Sequence, residues 1–165
     1  MGEWLEFAIY AVLIGTGATI LMDCWAIFLK RGLGIKSLDY CMLGRWIGHL
    51  SHRRFLHNNI SQSGKVDSEC LIGWTAHYAI GITFSFLLLV IWGLSWAEQP
   101  TLLPALIIGI VTVVAPFFLL QPGMGAGVAA SKTPQPNISR LLSIAAHTAY
   151  GIGLYLSALF LTLLI

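Results

Sequence analysis

The chain has 165 residues, of which 57% are hydrophobic and 10% are charged, and its formal net charge is +2. Because a soluble domain usually has about 25% charged residues, this composition excludes a soluble globular fold and predicts an integral membrane protein. The small net charge and the absence of a basic tail argue against nucleic acid as a partner. The cysteines Cys24, Cys41 and Cys70 form no Cys-x-x-Cys pair, and we predict unpaired apolar side chains in a reducing compartment.

Four apolar segments predict membrane-spanning helices, since each is close to the roughly 20 residues that a bilayer requires. They are residues 4–29, 71–96, 102–120 and 141–165. The first segment carries Glu3 and Glu6 near its start and ends in Lys30-Arg31, which is typical of a retained span and not of a cleaved signal peptide. We therefore predict an all-α polytopic membrane protein with a single integral-membrane domain.

The positive residues predict the orientation of these spans. All nine Lys and Arg residues lie in the two long connections, residues 30–70 and 121–140. Cytoplasmic connections retain an excess of Lys and Arg, so both connections are predicted to be cytoplasmic. The sequence thus predicts a multi-pass protein of the bacterial inner membrane with both termini in the periplasm.

The first connection contains an amphipathic segment, SLDYCMLGRWIGHLSHRRFLH, residues 37–57. In a helix it would present an apolar side and an opposite basic side. The apolar side comprises Leu43, Trp46, Ile47 and Leu50, and the basic side comprises Arg45, His49, His52 and Arg53. This pattern is typical of a helix that lies in the membrane interface with its basic side toward anionic headgroups, and Ser37 is a plausible N-cap. The histidines His49, His52 and His57 also allow a metal site, although solvated or headgroup-facing side chains are the simpler interpretation.

The second span contains AHYAIGI, residues 76–82, and the fourth contains AHTAYGI, residues 146–152, with five of the seven residues identical. The first and third spans share a weaker match, residues 11–15 against residues 105–109. These matches predict two helical hairpins related by a pseudo-twofold axis along the membrane normal. Small residues one turn before and after His77 and His147 predict that each histidine faces a neighbouring helix.

The second connection contains QPGMGAGVAASKTPQPN, residues 121–137. Its glycines allow unusual backbone angles, and their exposed N–H groups could cradle a phosphate beside a nearby lysine. A flexible turn explains the same residues. The predicted anion or headgroup site, including the basic residues of the first connection, comprises Arg45, Arg53, Gly123, Gly125, Gly127 and Lys132.

Three ionisable residues on three spans are predicted at a similar depth. Asp23, His77 and His147 each lie about 10–12 Å from the cytoplasmic end of their helix at 1.5 Å per residue. Such residues usually face the interior of a bundle or a wet cavity. We predict a polar pocket, open to the cytoplasm, with the lining residues Asp23, His77, His147 and Gln121 and the flanking residues Tyr78 and Tyr150.

This pocket favours a non-enzymatic protein that binds or transports a small ligand or a lipid headgroup. A redox protein is an alternative, with His77 and His147 as axial ligands of haem b or as ligands of a metal ion beside Asp23. A structural or assembly subunit, in which the polar residues only fix helix packing, is another. Membrane lipid is the expected partner, and a homodimer is plausible because four short spans enclose little volume.

Segments throughout the chain resemble a family of small bacterial membrane proteins known only as a domain of unknown function. They are GATILMDCW, LDYCMLGRWIGHL, GWTAHY, PTLLPALIIG, APFFLLQPGMGAGVAASKTPQPN and HTAYGIGLY. The resemblance covers nearly the whole chain and implies a four-helix protein of the bacterial inner membrane. It implies no activity, ligand or catalytic residue.

Overall fold

The computed structural model describes residues 2–35 and 38–164, and these residues are helical without any strand. The helices are α1 (Glu3–Leu33), α2 (Tyr40–Leu50), α3 (Glu69–Trp92), α4 (Leu94–Glu98), α5 (Leu102–Val111), α6 (Gln121–Met124) and α7 (Pro136–Thr162). Short 3₁₀ turns at Ile60–Gln62 and Val128–Ala130 and a π-helical turn at Pro116–Leu120 complete the secondary structure.

Four helices are long and apolar enough to cross a membrane: α1, α3, the stretch Leu102–Met124 and α7. The predicted all-α architecture with four spans is therefore confirmed at this level. Only 22–33% of the most apolar window of each helix is buried inside the protein. The remaining apolar surface requires lipid or another chain, because exposing it to water would cost about 25 cal/mol for each Å².

The helix ends differ from the approximate predicted span bounds at several positions. The second span stops at Trp92 because Gly93 takes a φ of 78°, after which α4 begins. The third span continues beyond Leu120 to Met124, through the π-helical turn that follows Pro116. A π turn widens the helix locally and accommodates the missing proline N–H. The fourth span begins at Pro136, a residue type suited to the first helical position.

The predicted amphipathic helix of the first connection is present but shorter than expected. It begins at Tyr40, and its N-cap is Asp39, whose carboxylate accepts a hydrogen bond of 2.9 Å from the backbone N–H of Cys41. The side chain of Asp39 therefore satisfies one of the free donors at the helix start. Ser37, the predicted cap, lies outside the described residues.

The described residues form two compact units. The bundle unit contains residues 2–35, 78–112 and 145–164, and the connection unit contains residues 38–77 and 113–144. The buried core of the bundle unit is mainly aliphatic, and its fully buried members include Ile14, Leu88, Leu89 and Leu154. The core of the connection unit is smaller and consists of Leu43, Trp46, Ile60 and Met124.

Glycines set the helix spacing in the bundle unit. A Cβ on Gly15 would lie 2.6 Å from the Cα of Ile82, and one on Gly109 would lie 2.7 Å from the Cα of Gly151. Real Cβ atoms do not approach so closely, so any larger residue would push the helices apart. Membrane-spanning helices usually pack through close backbone contact at small residues. Lipid tails are as apolar as the side chains, so the hydrophobic effect contributes little to the association of the helices.

The cysteines are the clearest departure from the sequence prediction. Cys41 in the first turn of α2 and Cys70 in the first turn of α3 form a disulfide, and Cys24 is free and exposed. The prediction of three unpaired cysteines is therefore wrong. The pairing depends on a close crossing of α2 and α3, which joins positions 29 residues apart in the chain.

Candidate functional site

Asp23 is an acidic residue within the apolar helix α1, and the structure places Tyr78 of α3 against it. The Tyr78 hydroxyl donates a hydrogen bond of 3.0 Å to Asp23 Oδ2, and both side chains are half-buried. Two of the predicted pocket residues are thus in direct contact. The bond places the Asp23 carboxylate against α3, where its partner is a tyrosine.

His147 of α7 contacts the end of α5. Its Nδ1 lies 3.1 Å from Thr112 Oγ1 and 3.2 Å from the Gly109 carbonyl oxygen. The Thr112 hydroxyl donates its own proton to the same Gly109 carbonyl at 2.8 Å. Thr112 therefore has only a lone pair to offer, which identifies Nδ1 of His147 as the protonated nitrogen and as the donor to both oxygens.

Tyr150 lies one turn further along α7 and has a different role. Its side chain is buried, and its hydroxyl donates a hydrogen bond of 2.6 Å to the Gly81 carbonyl oxygen of α3. The bond joins the two helices that carry the repeated histidine motif. Because the hydroxyl proton is used by the backbone, Tyr150 primarily fixes helix packing.

His77 has aromatic neighbours within the connection unit. Its ring stacks on Tyr40 with centroids 3.9 Å apart and planes 22° apart, and Trp74 packs edge-on at 5.9 Å. The two repeated histidines therefore have different surroundings, aromatic for His77 and polar for His147. Similar local sequence does not produce similar neighbours, because the partners come from segments that do not match.

Gln121 belongs to the end of the third span. Its amide nitrogen donates a hydrogen bond of 3.2 Å to Ser143 Oγ of α7. Its amide oxygen is buried and has no hydrogen-bond partner among the described residues. An unsatisfied buried carbonyl costs about 1–3 kcal/mol, so this position favours a hydrogen-bond donor from outside the chain.

The structure corrects the predicted position of Arg45. Its side chain is 5% exposed and forms a two-point ion pair with Glu69, at 2.8 Å from Nε and 2.7 Å from Nη2. Its Nη1 donates to the carbonyl oxygens of Ile60 and Ser61. The hydrogen bond with Glu69 raises the pKa of Arg45, so the guanidinium remains charged and crosslinks α2, α3 and the intervening segment. It does not face headgroups.

His49, also predicted at the headgroup surface, is buried against His57. His49 Nδ1 lies 2.7 Å from His57 Nε2, and the outer nitrogens contact the carbonyl oxygens of Gly64 and Gly123 at 2.9 and 3.1 Å. A carbonyl only accepts, so a ring nitrogen that bonds to one is a donor. The two buried rings therefore link α2 to the segment that follows it and to Gly123.

The glycines of the second connection serve packing more than ligand binding. The Gly125 N–H donates to Pro122 O, and the Gly123 carbonyl accepts from the backbone N–H of His57. A Cβ on Gly123 would lie 2.5 Å from the indole nitrogen of Trp46. These contacts occupy the Gly125 N–H and the Gly123 carbonyl, and a phosphate site at these two glycines stays a prediction.

The other residues of the predicted anion or headgroup site are Arg53, Gly127 and Lys132. Arg53 and Lys132 are exposed, so their charges are accessible to headgroups. Gly127 takes a φ of 76°, which suits glycine at the turn before Lys132. Among the described residues there is no group of three or more His, Cys, Asp or Glu side chains that could hold a metal ion.

Sequence reasoning missed the partners that complete these contacts: Thr112, Ser143, Tyr40, Glu69 and the cysteine pair. One signal was present in the sequence. A Cys-x-x-Gly pattern occurs twice, in Cys41-Met-Leu-Gly44 and in Cys70-Leu-Ile-Gly73. In a helix this pattern places each cysteine about one turn from a glycine, where a second helix can approach closely. The other partners have no signature, because they depend on contacts between distant segments.

The fold and these contacts define a helical membrane-span protein with hydrogen-bonded polar groups between its helices. A family model described as "Protein of unknown function (DUF2938)" matches residues 12–161, so the chain belongs to this family. The resemblance seen in the sequence is thereby confirmed. Comparison with curated proteins and with solved structures found no match.

Proposed function

We propose that this protein is a non-enzymatic protein of the bacterial inner membrane that binds or moves a small ligand or a lipid headgroup. Both long connections face the cytoplasm, and both termini face the periplasm. The distribution of charge supports this orientation, because all nine Lys and Arg residues lie in the two connections. Lipid covers the apolar faces of the four spans.

Two related hairpins form the bundle in this proposal. The glycine contacts support it, because Gly15 and Gly109 are equivalent in the repeat and each meets the backbone of the following span. Gly81 and Gly151 are likewise equivalent, and they lie at those contacts. Equivalent small residues at equivalent crossings are what duplication of one hairpin would produce.

The ligand site is a cytoplasm-facing polar pocket of the bundle unit, with Asp23, Tyr78 and His147 in its lining. The observation that carries the proposal is the hydrogen bond from Tyr78 to Asp23 within apolar spans. A carboxylate inside a membrane is costly and usually marks a ligand, ion or proton pathway. Its partial exposure lets a cationic or hydrogen-bond-donating group reach it. The ligand class is therefore a molecule with an ammonium or comparable donor.

Native mass spectrometry of the protein purified in a mild detergent tests this function. We expect a retained small molecule or lipid in the wild type and its loss in Asp23→Asn, which removes the charge but keeps the shape. Thr83→Ala is the matched control, since Thr83 is exposed and its hydroxyl bonds only within α3, to Ala79 O at 2.8 Å. Equal retention by Asp23→Asn and the wild type would contradict the proposal. The same spectra report whether the protein is a dimer.

A structural or assembly role is the second candidate, because the hydroxyl of Tyr150 and Nδ1 of His147 bond to backbone carbonyls of neighbouring helices. Interhelical bonds of this kind contribute about 0.6–2 kcal/mol each. A lower melting temperature in His147→Ala without any change in retained ligand would favour this role. A Soret absorbance that is lost in both His77→Ala and His147→Ala would instead favour the haem b alternative.

A further inference from the structure

The disulfide between Cys41 and Cys70 lies at a reciprocal helix crossing. Gly44 of α2 packs on the Glu69 carbonyl, and Gly73 of α3 packs on the Tyr40 carbonyl. Tyr40 and Glu69 are the residues immediately before the two cysteines, whose Cα atoms are 3.9 Å apart. Two matching Cys-x-x-Gly turns therefore bring the sulfur atoms together. The disulfide depends on the close packing of the two helix backbones as well as on the presence of the two cysteines.

The compartment proposed for this disulfide is unusual. Seven of the nine Lys and Arg residues lie between residues 30 and 70, which places this connection in the cytoplasm by the charge rule. Cytoplasmic reductants keep structural cysteine pairs reduced, and disulfides that form there are usually catalytic or redox-sensing. A disulfide on this side of the membrane is therefore expected to cycle between its two states.

We propose that Cys41 and Cys70 form a redox-active site that exchanges electrons with a dithiol of the cytoplasm. The inference rests on the proposed orientation of the protein. Cys70 is exposed and Cys41 is half-buried, so Cys70 is the sulfur that an external thiolate reaches. Both cysteines lie in the first turn of a helix, where the helix dipole favours the thiolate that must leave or attack.

The exchange balances without another reactant. A thiolate of the external dithiol attacks Sγ of Cys70, the Cys41–Cys70 bond breaks, and Cys41 leaves as a thiolate. The second thiolate of the partner then attacks its own sulfur in the mixed disulfide and releases Cys70. Two electrons pass to the pair, the partner becomes a disulfide, and the cysteines take up the two protons that the partner's thiols lose. The reverse sequence oxidises the pair.

The redox state controls the cover over His77. Tyr40 immediately precedes Cys41 and stacks on the His77 ring at 3.9 Å. The disulfide ties this turn of α2 to α3, whereas the rest of α2 is held separately by the Arg45–Glu69 ion pair and by the buried Leu43 and Trp46. Reduction therefore loosens the first turn of α2 without releasing the helix, and it exposes the His77 ring.

Alkylation trapping in bacteria expressing the full chain tests the redox site. In a Cys24→Ser background, acid-quenched cells are treated with a polyethylene-glycol maleimide, which adds two groups to the reduced pair and none to the disulfide. We expect a pulse of dithiothreitol to give the doubly labelled form and a pulse of diamide to restore the unlabelled form. A pair that stays unlabelled after the reductant, or labelled after the oxidant, would overturn the proposal.

Two variants check that the crossing sets the pairing. Gly44→Val places atoms on the Glu69 carbonyl and should leave the pair labelled under every condition. Gly64→Ala is the matched control in the same connection, because nothing lies within 4 Å of the added Cβ. It should cycle like the wild type. Normal disulfide formation in Gly44→Val would contradict the role assigned to the crossing.

The orientation and the cover are tested separately. A Lys65→Cys substitution should resist a membrane-impermeant maleimide in intact cells, and labelling from outside would overturn the orientation and with it the cytoplasmic electron donor.

Modification of His77 by diethyl pyrocarbonate, followed by mass spectrometry in purified protein, should become several-fold faster after reduction. If the pair is shown to be reduced and the modification rate is unchanged, the redox state does not control access to His77. That result would overturn the proposed cover but not the redox site.

Discussion

Glu69→Gln should destabilise the connection unit by about 3 kcal/mol, because it leaves a buried cation without its counter-ion. Arg45 loses a two-point ion pair with bonds of 2.7 and 2.8 Å, and its side chain is only 5% exposed. Removing one member of a buried pair costs about 3–5 kcal/mol, and the 13% exposure of Glu69 places this case at the lower end. The folded-to-unfolded ratio should therefore fall about a hundredfold.

A double-mutant cycle separates the pair from the individual side chains. Arg45→Met should also destabilise the protein, since it removes the donor to the carbonyls of Ile60 and Ser61 and leaves the carboxylate unpaired. In Arg45→Met/Glu69→Gln no buried charge remains, so the two losses should not add and the interaction energy should be about 1–3 kcal/mol. The free energy of unfolding is measured by titration with sodium dodecyl sulfate in mixed micelles.

Lys65→Gln is the control for this cycle, because Lys65 is an exposed cation in the same connection. It should change the free energy of unfolding by less than about 0.5 kcal/mol, as surface substitutions usually do. An interaction energy below about 0.5 kcal/mol between Arg45 and Glu69 would refute the reasoning. The ion pair would then contribute too little free energy to explain why the charge of Arg45 is buried.

Three further predictions follow from the described contacts. His57→Leu should destabilise the connection unit by about 1–3 kcal/mol because it leaves a buried ring nitrogen of His49 without its partner at 2.7 Å, and an unchanged free energy of unfolding would contradict a stabilising contact between the two rings. Gly109→Val should lower the melting temperature by several degrees because its side chain overlaps the Gly151 backbone, and an unchanged melting curve would rule out the close crossing. Tyr150→Phe should cost about 1 kcal/mol in the same micelle titration through loss of one interhelical bond, and no loss would exclude a stabilising role for that bond.

The sequence alone determined that the described residues form helices, four of them long and apolar enough to cross a membrane, because the signal for such a helix is local. About 20 consecutive apolar residues suffice, and no distant partner is needed to recognise them. The sequence also predicted a polar site at Asp23, since a carboxylate in an apolar helix avoids lipid. Helix ends were less predictable, because the π turn after Pro116 and the positive φ of Gly93 depend on surrounding packing.

Only the tertiary structure decided which polar residues meet. Arg45 and His49 have the helical spacing of a basic surface, yet segments further along the chain bury them by supplying Glu69 and His57 as partners. A periodic pattern reports one side of one helix, and it carries no information about what folds back onto that side. The disulfide belongs to the same category, since Cys41 and Cys70 pair only where the backbones of α2 and α3 touch.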